Sequence, residues 1–256
     1  MTMINNYCSF STQENAAEFA WQRDDIFGRI ATLYDRLCDV FSFGIHRLWK
    51  RRVAQHIASE DWKTLLDGAT GTGDIILRVM SRGSVQGRTI VASDVSPKML
   101  AIAEQRLRKY SGAVSLKQLD TENMPSVPTQ SVDAYSISLG LKICNRHLAL
   151  KEALRVLKPG GRLIVLEASN IPLSFLHRLY LRYMAVCMPI LGWLATGGDA
   201  SAYKYLLQGI RNFPSAEGLA QELRSFGFRD VSFERLSLGI VAIHTARAPP
   251  ATHVVN

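Results

Sequence analysis

Three features of the sequence predict an α/β fold. Apolar runs alternate with helical patterns from Thr64 to Glu167, which implies parallel strands joined by crossover helices. A glycine-rich turn, LLDGATGTGD (Leu65–Asp74), separates the first such run from the first such helix. The last two apolar runs have only a glycine between them, so they pair antiparallel. The expectation is a Rossmann-like, doubly wound sheet of seven strands, mostly parallel with an antiparallel terminal pair, plus N-terminal helices and an inserted helical cap.

With 256 residues the chain can bury one substantial α/β core, and 47% hydrophobic against 20% charged residues is a globular composition. Cys8, Cys38, Cys144 and Cys187 have neither disulfide-framework nor metal-ligand spacing, so a reduced cytoplasmic setting and no metal are expected. Residues 1–20 lack the apolar segment of a signal peptide. The net charge is +8, and its densest basic stretch, HRLWKRR (His46–Arg52), suits a solvated helix face or anionic lipid headgroups. No basic motif with interleaved aromatics occurs, which argues against nucleic acid as a partner.

In chain order, residues 1–22 read as a flexible arm, 23–247 as a single domain and 248–256 as a flexible tail. Ile26, Ile30, Leu33, Leu37, Val40 and Phe41 recur at helical spacing, Ser42-Phe43-Gly44 interrupts, and a second helix follows from Ile45 to Ile57. Tyr34, Asp35, His46 and Trp49 are the polar and aromatic members there, and amphipathic packing alone accounts for them. The core reads as strand Thr64–Asp67, helix 74–82, strand Thr89–Ser93, helix Pro97–Lys109, strands Val114–Leu119 and Val132–Leu139, helix 146–157 and strand Arg162–Glu167. Pro97 is preorganised for a first helical turn, and Lys158-Pro159-Gly160-Gly161 reads as a helix stop and turn. Residues 172–212 form the apolar helical cap, too short in clean apolar sequence to span a bilayer because Arg182 interrupts it and Pro189 is expected to break it. A helix at Glu217–Phe226 and strands Val231–Leu238 and Ile240–Ala246, hinged at Gly239, complete the domain.

Ligands of such sheets lie beyond the carboxyl ends of the strands. Asp67–Gly73, Asp94, Asp120 and Ser138–Gly140 all fall at such ends. Gly71 and Gly73 open the backbone at a helix N-terminus. The third position of a GxGxxG fingerprint is Ile76, and no Gly-Lys-Ser/Thr ending is present, so neither a dinucleotide nor a P-loop site is built. An acid before the turn (Asp67) and one after the second strand (Asp94) suit an adenosyl group without pyrophosphate. That points to S-adenosylmethionine.

These residues resemble the ubiquinone/menaquinone C-methyltransferase (UbiE-type) family from about Ile26 to His244. IATLYDRLCDVFSFGIHRLWK is similar to its N-terminal Tyr-Asp…Ser…His…Trp signature, and RVLKPGGRLIVLEAS (Arg155–Ser169) to its second. DASAYKYLLQGIRNFP and GIVAIH (Gly239–His244) are similar to its cap and last strand. The resemblance implies a class I methyltransferase with S-adenosylmethionine as donor and a quinol precursor as acceptor. Carried over, it implies Thr72 in the turn, Asp94 on the ribose, Asp120 and Thr121 beside the adenine and Ser138 near the methionine end. Lys142 and Tyr34 are the catalytic candidates. Three departures stand out: Ala69-Thr70 in the glycine turn, Leu37-Cys38 where Met-Asn is usual, and Gly140-Leu141-Lys142-Ile143 where Gly-Leu-Arg-Asn is usual. The last bears on the acceptor, since lysine lacks the arginine fork. The partner expected is a hydrophobic aromatic or quinol small molecule. A transient contact with the inner membrane face and an oligomeric state are left open. The rivals are a paralogue acting on a secondary metabolite or phospholipid amine, and a non-catalytic scaffold.

Overall fold

The computed structural model describes residues 31–83, 87–196 and 201–251. The arm at 1–22, the start of the first helix at Ile26 and Ile30, and most of the tail lie outside them. Helices α1 (Tyr34–Ser42) and α2 (His46–Ala58) precede strand β1 (Thr64–Gly68). Then come α3 (Asp74–Met80), β2 (Thr89–Asp94), α4 (Pro97–Leu107), β3 (Val114–Gln118), β4 (Val132–Ser138), α5 (Arg146–Val156) and β5 (Leu157–Ala168). The cap is α6 (Ser174–Thr196) and α7 (Ser201–Asn212), followed by α8 (Ala216–Ser225), β6 (Arg229–Leu236) and β7 (Val241–Arg247).

The sheet order is β3-β2-β1-β4-β5-β7-β6. β1 to β5 pair in parallel, and β7 enters between β5 and β6, antiparallel to both. The order reverses at β1, whose C-terminal end carries the glycine turn. Successive side chains of a strand face opposite sides, and this splits the core into two layers. Leu65, Ala134 and Ile164 pack with Val53, Ile57 and Ile76. Leu66, Tyr135 and Leu163 pack with Leu150, Leu219 and Phe228 on the other face. Both faces are covered, so β1 and β5 read as continuous apolar runs.

Local signals start the helices as expected. Ser96 Oγ accepts the Met99 N–H, with Pro97 opening α4. Asn145 caps α5 by accepting the Leu148 N–H at 3.3 Å. Two local expectations are corrected. Lys158–Gly161 is not a connection ahead of the strand but a bulge within it. The partner of β4 jumps from Leu157 to Arg162 while β4 advances from Val132 to Ala134, and the bulge pairs instead with the end of β7 through Ala248 N–H to Gly161 O at 2.8 Å. Pro189 does not break the cap, because α6 continues through it. Proline inside a helix costs on the order of 3 kcal/mol. Burial of Met184 and Met188 against Leu207 offsets this, at roughly 2 kcal/mol per side chain. No described helix is long and apolar enough to cross a membrane.

Candidate active site

The glycine turn leaves β1 with Ala69 at φ 54°, Gly71 at 57° and Gly73 at 79°. Gly73 must stay small, since a Cβ there would lie 2.8 Å from Leu107 Cδ1. Gly71 faces open space, with nothing within 4 Å of a Cβ built on it. Ala69 occupies the left-handed region without a glycine's freedom, a strain of about 1–2 kcal/mol. Thr70, the residue that departs from the usual glycine turn, folds inward: its Oγ1 donates to Asp67 Oδ2 at 2.7 Å. Ser136 Oγ donates to Asp67 Oδ1 at 2.5 Å. Asp67 is buried, and desolvation pushes its carboxyl up to about 6 despite these two donors. It organises the turn from beneath.

Asp94 holds the other side. Its Oδ2 accepts the Gly71 N–H at 2.8 Å and its Oδ1 the Ser96 N–H at 2.9 Å, so one carboxylate joins the glycine turn to the start of α4. Gly71, Asp94, Asp120, Thr121, Ser138 and Tyr34 line one crevice. Asp67, Gly73 and Thr72 stand behind it. The Thr72 hydroxyl donates to Asp35 at 3.0 Å and accepts from Arg106 Nη1 at 2.6 Å, while Arg106 also pairs with Asp35 at 2.7 Å. These contacts tie α1 to the turn. Beside them, Lys50 of α2 and Asp74 at the start of α3 form a buried pair at 3.1 Å.

The crevice fits an adenosylmethionine. Gly71 offers open backbone, Asp94 offers acceptor oxygens to a diol, and Ser138 Oγ is buried with no partner among the described residues. No described cluster of three His, Cys, Asp or Glu is able to hold a metal ion.

A second chamber, of about 300 Å³, opens beside the crevice under the cap. Tyr34 and Leu139 line both spaces. Its walls are apolar, with Leu37, Phe41, Met184 and Met188 among them, and its polar members include Cys38, Ser42, His46 and Lys142. Lys142 therefore belongs to the chamber and not to the crevice. Its Nζ donates to the Leu139 carbonyl and to Glu167 Oε1, the latter at 3.1 Å, and its backbone N–H donates to Glu167 Oε2 at 3.0 Å. The Cys38 thiol beside Tyr34, together with burial, raises the Tyr34 hydroxyl well above the usual phenol range.

Glu167 and Arg106 were not among the residues singled out in the sequence, and Asp35 was read only as a polar member of an amphipathic helix and part of the Tyr-Asp signature. Glu167 carried a usable signal: like Asp67 and Asp94, it is an acid closing an apolar strand. Arg106 carried none, and the Tyr-Asp signature did not give Asp35 its partner, because the meeting of both with Thr72 depends on how α1 and α4 dock.

Solved structures of similar architecture include the [4+2]-cyclase SpnF, with TM-score 0.63 and 20% identity, covering 90% of this chain and 97% of that one. A SAM-dependent methyltransferase of Thermotoga maritima, described as a possible histamine N-methyltransferase, also has TM-score 0.63 and 20% identity, covering 88% and 99%. These similarities show the fold alone: that of the class I S-adenosylmethionine-dependent methyltransferases. Sequence relatives are closer. The protein of Paracoccus denitrificans (strain Pd 1222) called ubiquinone/menaquinone biosynthesis C-methyltransferase UbiE is 38% identical over 223 residues, 86% of this chain and 88% of its own. Its namesake in Rhizobium meliloti (strain 1021) is 38% identical over 228 residues, 87% of each chain. The profile of the ubiE/COQ5 methyltransferase family matches residues 15–248. With sequence, fold and crevice in agreement, the chain belongs to the ubiE/COQ5 methyltransferase family and is an S-adenosylmethionine-dependent methyltransferase.

Proposed function

We propose that this methyltransferase acts on a ring carbon of a hydrophobic hydroquinone, as a C-methylation step of ubiquinone or menaquinone biosynthesis. The observation that carries the reading is the apolar chamber joined to the crevice at Tyr34 and Leu139, with the Lys142–Glu167 pair in its wall. A prenylated ring needs apolar walls for its tail and a small number of polar groups for its hydroxyls.

Asp94, Gly71 and Ser138 would hold the cofactor, with Asp120 and Thr121 along the same wall. When bound, S-adenosylmethionine supplies an electrophilic methyl group on a sulfonium. The chain's own task is to present a ring carbon to it and to make that carbon nucleophilic. Presentation falls to the chamber: a ring held at about 3–3.5 Å from its target gains much of the acceleration from alignment alone. Activation needs negative charge on the ring hydroxyl. Two N–H bonds of the Lys142 ammonium are taken by Leu139 O and Glu167 Oε1. The remaining donor is suited to a phenolate oxygen. Tyr34, with its proton held tightly, serves as a hydrogen-bond donor at the junction and not as a base.

The same reading places the outer face of α6 against lipid. Phe175 (68% exposed), Val186 (59%) and Trp193 (54%) share this helix with exposed Arg178 and Arg182, and α6 has no acidic residue. Phe43 (80% exposed), in the turn between α1 and α2, and Tyr183 both line the chamber. An apolar stripe flanked by arginines is the pattern of a helix lying in a membrane interface, and a membrane-dissolved substrate would then enter from that side.

The acceptor is tested by offering the protein methyl-labelled S-adenosylmethionine with a short-prenyl hydroquinone and, separately, phosphatidylethanolamine vesicles. Label in the hydroquinone supports the reading. Label in the phospholipid moves the acceptor, and absence of cofactor binding by calorimetry leaves a scaffold.

A further inference from the structure

His46 lies in the chamber wall, and its hydrogen bonds determine which ring nitrogen carries the proton. Ser42 Oγ donates its single proton to the Cys38 carbonyl at 2.6 Å. It accepts the His46 backbone N–H at 3.3 Å and lies 2.8 Å from His46 Nδ1. A hydroxyl has one donor and two acceptor sites, so the Nδ1 contact requires a proton on Nδ1. In the neutral ring, Nε2 is then the nitrogen with the free lone pair. It makes no hydrogen bond among the described residues, and the ring lines the chamber together with Tyr34, Cys38 and Ser42. Those three follow one another at four-residue spacing along α1, so the four form one polar line on an otherwise apolar wall.

We propose that His46 Nε2 is the base that takes the proton from the acceptor's ring hydroxyl, with Ser42 holding the imidazole in the competent tautomer. The inference rests on the hydroxylated-ring reading above. In this step the acceptor O–H bond breaks, its electron pair stays on oxygen, and the proton is bound at Nε2. The ring carbon then bonds to the methyl carbon as the S–CH3 bond breaks, its electron pair staying on the now neutral thioether sulfur. The ring carbon's own hydrogen leaves as a proton to solvent water, and the imidazolium returns the first proton to the oxygen. Lys142 carries the compensating positive charge during the interval.

The surroundings favour the neutral imidazole. Burial and the Lys50 and Arg47 charges push its pKa below the ordinary histidine value, and Asp39 (3.7 Å from Nδ1) and Asp74 of α3 counter only part of this. Lys142, paired with Glu167, faces the same chamber from the turn before α5, and Tyr180 and Tyr183 face it from α6.

The first test uses the free protein. Long-range ¹H–¹⁵N NMR of histidine-labelled protein is expected to show one ring in the Nδ1–H form, with its signals absent in His46→Asn and shifted in Ser42→Ala. An Nε2–H ring at that position overturns the proposal. The second test is the pH profile. His46→Asn keeps an N–H for Ser42 but has no basic nitrogen. It is expected to lower kcat by roughly 10²–10⁴-fold and to remove the acid limb of the profile, with cofactor affinity by calorimetry unchanged. A variant that retains the wild-type rate and limb also overturns it. Wild-type protein inert toward hydroxylated rings but active on another acceptor overturns the acceptor reading instead, and is recognised without any variant.

Discussion

Glu167 accepts from Lys142 twice: Oε1 from the ammonium at 3.1 Å and Oε2 from the backbone N–H at 3.0 Å. The Ala168 N–H adds a third donor at 2.7 Å. One buried carboxylate thus sets both the position of the lysine charge and the turn that carries it. Removing one member of a buried pair leaves an uncompensated charge, at a cost of about 3–5 kcal/mol. Lys142→Met and Glu167→Gln are each expected to lose about this much in urea unfolding. The double variant should lose less than the sum of the two. Strict additivity would show that the pair is not coupled.

Asp94 and Ser138 separate cofactor binding from stability. Asp94→Asn replaces an oxygen that accepts from Gly71 or Ser96 with a donor, and should weaken cofactor binding roughly 10–100-fold. Ser138 Oγ has no described partner to lose. Ser138→Ala should therefore leave the melting temperature unchanged while reducing cofactor affinity several-fold. Calorimetry and thermal melts together read both effects.

Asp67 makes stability pH-dependent in a direction opposite to that of most acids. Its carboxyl is raised from 3.8 to about 6, so the folded state binds the proton more tightly than the unfolded chain. The stabilisation is complete below about pH 4 and is lost as pH rises through 6. At about 1.4 kcal/mol per pKa unit this amounts to about 3 kcal/mol. Measured as wild type minus Asp67→Asn in urea unfolding, stability should fall by about that much between pH 4 and pH 7. A flat difference would mean that Ser136 and Thr70 keep the carboxylate charged throughout.

The α6 face predicts membrane binding that depends on both charge and apolar area. Wild-type protein should float with vesicles containing anionic lipid and far less with neutral ones. Val186→Ser with Trp193→Ser should reduce flotation at least about tenfold without changing cofactor affinity, because the lost burial amounts to a few kcal/mol. Equal flotation of wild type and double variant would remove α6 from the contact.

Where chemistry is local, the sequence was legible. The position of Asp94 at a strand end facing the glycine turn follows from short-range features, an acid at fixed spacing after that turn, and Pro97 opens a helix for the same reason. Residues whose partners lie far along the chain were not. Lys142 and Glu167 meet only because β4 and β5 pair in one register. Thr72 lies in the glycine turn as the sequence reads, but the partners of its hydroxyl, Asp35 and Arg106, come only from the docking of α1 and α4. Amphipathic packing accounts for His46 in the sequence, and the Ser42 Oγ contacts that fix its ring exist only in the folded α1–α2 pair. Pro189 and the Lys158–Gly161 bulge show the converse, local breakers overruled by packing of the cap and by pairing with β7.

The most direct measurement of the central claim is where the methyl group goes. Purified protein is incubated with trideuteromethyl-labelled S-adenosylmethionine and a reduced, prenylated hydroquinone, and the product is analysed by mass spectrometry and carbon NMR. The account predicts a trideuteromethyl group on a ring carbon, with both oxygens unmethylated. A label on a quinol oxygen, or on nitrogen or a phospholipid, with the ring carbons untouched, would contradict it.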